Sequence, residues 1–100
     1  MRTRLIFYDI TEDNLRVKLS NKLEALGFIR IQFSVFCGSH ANGQWAYCLK
    51  EIEEVLHGEL HEKDKVGVLP LNPVELRNML YFGEAPDFKT IFNEELVVWI

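Results

Sequence analysis

Residues 23–35, LEALGFIRIQFSV, change their hydrophobic rhythm in the middle. Up to Leu26 the apolar positions recur at helical spacing, Leu15, Leu19, Leu23 and Leu26 making one stripe. After Gly27 they alternate: Ile29, Ile31, Phe33 and Val35 interleave with Arg30, Gln32, Ser34 and Phe36. Gly27 is a helix stop, and a period of two is a strand with one apolar and one mostly polar face. A helix running into a strand through one glycine restricts what can lie on either side.

Upstream, LIFYDI (residues 5–10) is an apolar run of the kind a buried strand carries, and Arg4 to Ile10 reads as that strand. Thr11 offers an N-cap hydroxyl, with Glu12 and Asp13 where the helix dipole favours acids. Arg16, Lys18 and Lys22 fall off the leucine stripe and read as solvated. Downstream, CGSHANG reads as a turn with a short strand. A helix from about Gln44 to His57 follows, with Trp45, Cys48, Leu49, Ile52 and Leu56 on one side and Gly58 ending it. Val66 to Leu71 is a strand that Pro70 places near a sheet edge or strand end. Asn72-Pro73-Val74-Glu75 has a capping side chain, proline at the first helical position and Glu three residues on. It opens a short helix carrying Leu76, Met79 and Leu80. Gly83 to Asn93 reads as loop, and ELVVWI (residues 95–100) as a last strand.

Strand, helix, strand, short hairpin, helix, strand is the split βαβ order of a ferredoxin-like α+β domain. Residues 1–100 form one such domain, with both long helices on one sheet face and Arg30, Gln32 and Ser34 on the other. The added strand 95–100 is too apolar for a free end, so it is expected to pair with the sheet edge of a second copy, and the second copy's strand with this one.

Composition narrows the function. The chain has 100 residues, 48% hydrophobic and 26% charged, which suits a globular core and not a disordered chain. No apolar run approaches the roughly 20 residues of a membrane span. The N-terminus meets Asp9 too early for a signal-peptide core, so a cytoplasmic location is expected. Cys37 and Cys48 read as small buried hydrophobes. The net charge of −4 is uneven. Residues 1–50 carry seven Lys+Arg against four Asp+Glu; residues 51–100 carry four against eleven. The first half suits an anionic ligand and the second a different partner. His57 and His61 are four apart but lack the Glu after the first His, and Gly58 separates them, so they read as loop histidines and not a zinc pair. Glu51, Glu53 and Glu54 read as a charged helix face.

Asp9 is the residue that needs a reason. It could cap the next helix, although Thr11 already serves. It could pair with Arg30 on a neighbouring strand. Or it could ligate a hard metal: Mg²⁺ takes one or two carboxylates and keeps several waters.

The combination of these features resembles a known family. Tyr8-Asp9 closes an apolar strand; Arg16, Lys18 and Leu19 follow on a helix; then come Gly27 and the strand Arg30-x-Gln32-x-Ser34-Val35-Phe36. This pattern, over residues 1–38, resembles the second family of CRISPR-associated proteins, "Cas-two". DKVGVLPL and ELVVWI are similar to that family's later strands, whereas SHANGQWAY departs from its pattern. The resemblance implies a homodimer in which two copies of Asp9 meet across a two-fold axis and bind Mg²⁺ or Mn²⁺. It implies that Asp9 is the catalytic and metal-binding residue of an endonuclease cutting RNA or DNA phosphodiesters. Arg16, Lys18 and Arg30 would neutralise phosphate, and Tyr8 and Phe36 would position the strand or pack beside the site. It also implies a place in CRISPR adaptation (spacer acquisition), bridging integrase dimers on protospacer DNA. Three alternatives remain open here: a catalytically inert scaffold of the same family, a ferredoxin-like RNase toxin related to the virulence-associated D proteins, and a small-molecule regulatory module on the same fold.

Overall fold

A computed structural model describes residues 2–84. The strands are β1 (Arg2–Asp9), β2 (Ile29–Gln32), β3 (Val35–His40) and β4 (Lys65–Leu71). The helices are α1 (Asp13–Ala25), α2 (Asn42–Leu56) and α3 (Pro73–Arg77). The sheet order is β2-β3-β1-β4 and every pairing is antiparallel. This is the ferredoxin-like order expected of the sequence, with β1 central and β4, the strand holding Pro70, at an edge. Residues 95–100, and the strand exchange expected of them, lie outside the described residues.

The main core lies between one sheet face and the two long helices. Ile6 and Tyr8 of β1 and Phe36 of β3 pack on Leu15, Leu19 and Leu23 of α1 and on Cys48 and Ile52 of α2. On α2, Trp45, Val55 and Leu56 join them, whereas Leu49 is exposed. Gly27 ends α1 at φ 87° and Gly58 follows α2 at φ 72°, left-handed conformations that glycine alone adopts without strain. Asn72 caps α3 by accepting the Glu75 N–H at 2.8 Å. Among the described residues, no helix is long and apolar enough to cross a membrane.

Three expectations are corrected. The alternating run does not continue as one strand. Phe33 and Ser34 form a turn, and Val35 begins β3, so the short strand expected within residues 37–43 starts earlier, at Val35, and runs to His40. Alternation cannot register this turn, because the apolar pattern resumes in phase beyond it. Second, the polar side of β2 does not face away from the helices. Arg30 pairs with Phe36 on the helix face, while Ile29 and Ile31 pack on the opposite side with Cys37, Leu76 and Met79. The α3 segment therefore covers part of the second face. A register shift between Arg30 and Gln32 lets the Gln32 amide reach the Tyr81 hydroxyl at 3.4 Å. Third, Thr11 does not cap α1. Glu12 is the N-cap residue and makes no side-chain cap, while Thr11 is held by Asp64.

Candidate functional site

Asp9 is the last residue of β1, opposite Lys65 of β4, and it is exposed. Strand alternation puts it with Leu5 and Phe7 on the face away from α1 and α2. It caps no helix, since α1 starts at Asp13. It does not pair with Arg30, which lies on the other face. Among the described residues nothing hydrogen-bonds or ion-pairs with its carboxylate. Among the described residues both structural roles open to it are thus unfilled, and its exposed oxygens suit a cation. Alone they are not a metal cage: no group of three or more His, Cys, Asp or Glu comes together among the described residues. One carboxylate suits a hydrated Mg²⁺ as a single ligand, with water and other ligands needed to complete the shell.

Tyr8, one residue back, points inward. It is buried, its ring stacked on Phe36 with centroids 6.3 Å apart. Burial pushes its phenol above the ordinary value, and the nearby Arg30 and Arg16 pull the other way. Phe36 is fully buried and belongs to the core. Arg16 is half-buried. One guanidinium nitrogen donates to the Ile10 carbonyl at 2.9 Å and the Thr11 carbonyl at 3.4 Å, and the other pairs with Asp13. It clips the end of β1 to the first turn of α1. Arg30 is exposed, its guanidinium 5.0 Å from the Phe36 ring centroid and 5.8 Å from that of Phe33. Tyr8, Arg16, Arg30 and Phe33 line a cavity of about 360 Å³ whose remaining walls are Asp13, Val17 and Ser20. Of the residues singled out by sequence, the fold gathers Tyr8, Arg16 and Arg30 over Phe36. It leaves Lys18 exposed on α1, outside this cavity, and Asp9 on the opposite face of the same strand end.

Sequence reading missed Asp64. Its carboxylate accepts the Thr11 N–H and hydroxyl, both at 3.0 Å, and the His61 N–H at 2.8 Å. Beside it, His61 Nε2 lies 3.0 Å from a Glu12 carboxylate oxygen. These contacts fasten the loop after Asp9 to the loop before β4. The His61 and Thr11 amides hold the Asp64 carboxyl below its usual range. A carboxyl depressed in the folded state stabilises the fold above the ordinary carboxylate pKa and loses that contribution as pH falls through its own, lower value. The Thr11 amide resonance should therefore titrate with a midpoint below roughly 3.9, the ordinary aspartate value. Asp64→Asn should remove that titration. A midpoint at or above the ordinary value would count against the clasp.

Known proteins resemble this chain in sequence and in fold. The family model described as CRISPR associated protein Cas2 matches residues 1–79. A curated protein of Korarchaeum cryptofilum, "CRISPR-associated endoribonuclease Cas2", is 35% identical over 82 residues, covering 81% of this chain and 84% of its own. One of Pyrobaculum aerophilum, "CRISPR-associated endoribonuclease Cas2 1", is 32% identical over 83 residues, 82% of this chain and 81% of its own. Among solved structures, the hypothetical protein TT1823 of Thermus thermophilus superposes with a TM-score of 0.68 at 26% identity, covering 85% of this chain and 94% of that one. Streptococcus pyogenes Cas2, at pH 6.5, does so with a TM-score of 0.66 at 16% identity, covering 81% and 99%, a likeness of fold. The chain belongs to the CRISPR-associated Cas2 family.

Proposed function

We propose that this chain works as a homodimer in CRISPR adaptation, bridging integrase dimers on protospacer DNA, and that it cuts RNA or DNA phosphodiesters with Mg²⁺ or Mn²⁺ held by Asp9. The observation that carries the catalytic part is the exposed carboxylate of Asp9 on the central strand, which no described residue caps or pairs with. The names of the two curated relatives support the same class of reaction. The toxin reading loses its ground once the chain falls in the Cas2 family.

The protein's own residues divide the work by face. Asp9 supplies oxygen ligands on one side of the β1 end. Arg30 supplies positive charge on the other, with Arg16 holding the strand end in place beside it. A phosphate at Arg30 and a phosphate at Asp9 are then different phosphates of one nucleic-acid strand passing around the end of β1. Tyr8 and Phe36 form the packed floor beneath Arg30. A divalent ion at Asp9 would supply a water nucleophile at neutral pH and charge for the phosphoryl oxygens.

Labelled single-stranded RNA, single-stranded DNA and duplex DNA, each incubated with the purified protein, test the reading. Cleavage should need Mg²⁺ or Mn²⁺, stop with EDTA and return on adding metal in excess. The protein should co-elute as a dimer with a CRISPR integrase. Co-elution without cleavage under any metal would favour the inert scaffold, and cleavage indifferent to EDTA would remove the metal from the mechanism.

A further inference from the structure

Phe33 stands where a phenylalanine is not needed for the fold. It occupies the turn between β2 and β3, where Gly, Asn, Asp or Ser would serve the backbone better, and it is 75% exposed. It belongs to neither hydrophobic core. It is a wall of the cavity that also holds Tyr8, Arg16 and Arg30, and Val17, itself exposed, forms another apolar part of that wall.

The two arginines of this cavity are in different states. Arg16 is occupied by Asp13 and two backbone carbonyls. Around Arg30, no carboxylate or hydrogen-bond acceptor among the described residues reaches the guanidinium, which rests on the Phe36 ring and lies near that of Phe33. An unpaired cation beside an exposed aromatic ring, in a cavity of about 360 Å³, is a pairing suited to a phosphate and the base attached to it. Guanidinium and phosphate interact by charge, and every base has a π-face that can lie on the ring. A base inside a duplex is already stacked and cannot use Phe33.

We infer that Phe33 is a positioning residue: a stacking platform that takes an unpaired nucleobase of the strand whose phosphate meets Arg30. This rests on the reading of the chain as a nucleic-acid-binding member of its family. The base held on Phe33 fixes the strand's register around the end of β1, and so determines which phosphodiester arrives at Asp9.

Fluorescence anisotropy with a labelled oligo-dA strand, an abasic strand of equal length and a duplex tests this, with EDTA present so that no strand is cut. Phe33→Ala should weaken oligo-dA binding roughly five- to a hundredfold, the range of one lost base–aromatic stack. It should leave abasic-strand and duplex binding unchanged. Phe33→Trp should preserve oligo-dA binding. The salt dependence of Phe33→Ala should equal that of the unaltered protein, whereas Arg30→Gln should flatten the slope by about 0.7 for a single strand. Equal oligo-dA affinity of Phe33→Ala and the unaltered protein overturns the assignment. So does an equal loss on the abasic strand, which would make the ring merely structural. So does a changed oligomeric state with strand binding intact, which would place a second copy over the ring. If the unaltered protein binds no strand at all, this inference and the proposed function fall together. If it binds and only the Phe33 variants behave alike, the inference alone falls.

Discussion

Replacing Asp9 by Asn should abolish the proposed metal-dependent cleavage while leaving the fold and the proposed dimer as they were. The side chain keeps its size and position at the end of β1, and since it is exposed and bonded to nothing described, no internal contact is lost. What changes is the charge offered to a cation. Residues that only orient metal ligands cost about 10- to 100-fold when removed, so the loss of the ligand itself should reach at least the upper end of that range. Cleavage rates of separately purified mutant and parent, measured over a series of Mg²⁺ concentrations, make the comparison. Equal rates would take Asp9 out of the mechanism. A mutant rescued by high Mg²⁺ would show weakened affinity and keep Asp9 as a ligand.

Two glycines in the sheet should respond to the same added methyl group with very different losses. At Gly38 a Cβ would meet Phe28 Cδ1 at 2.8 Å and His40 Cε1 at 3.0 Å. Neither ring can withdraw. Phe28 is buried, and His40, 4.6 Å from it between ring centroids, donates from Nε2 to the Leu26 carbonyl at 2.7 Å. Gly38→Ala should therefore cost about 1–3 kcal/mol by overpacking, at some 4–8 °C of melting temperature per kcal/mol in a domain of this size. At Gly67 the clash is nominally worse, 2.3 Å to Phe7 Cζ, but Phe7 is 43% exposed and can swing into solvent. Gly67→Ala should stay within about 0.5 kcal/mol of the parent. Thermal unfolding followed by circular dichroism compares the two. Equal melting temperatures, or the reverse order, would mean that the freedom of the neighbouring ring does not decide the cost.

What could be read from the sequence follows the reach of the signals involved. The leucine stripe, Gly27 and the Asn72-Pro73 start are local patterns, and α1 and α3 lie where those patterns put them. Sheet order followed from the succession of elements. The position of Phe33 did not, because a turn that preserves alternation leaves the hydrophobic rhythm intact. The facing of Arg30 was lost for a related reason: both faces of this sheet carry apolar residues, one against α1 and α2 and the other against α3. An apolar side then no longer identifies the helix side. Thr11 looked like a cap because caps are recognised from neighbours, and its partner Asp64 is 53 residues away. Arg4 is a similar case: it is buried with its guanidinium 4.2 Å from the Trp45 ring centroid, a contact between β1 and α2 that no spacing announces. The Tyr8, Arg16 and Arg30 cluster was legible by family likeness, and the separation of Asp9 onto the other face was already implicit in its being one residue from Tyr8.

The central place of β1 also bears on how the chain is made. β1 is made before the other three strands of the sheet, yet one of its edges waits for β3 and the other for β4, whose residues begin at Lys65. Until then an apolar strand holding Ile6, Phe7 and Tyr8 has an open hydrogen-bonding edge, which is the state most prone to pairing with a neighbouring chain. The Thr11–Asp64 bonds lie beside the first pair of the β1–β4 ladder, Asp9 and Lys65, so the segment that pairs β4 to β1 also braces the proposed catalytic strand end. A nascent chain halted inside α2 has every proposed phosphate-binding residue and Asp9 already synthesised, but lacks the strand and the loop that hold them in place.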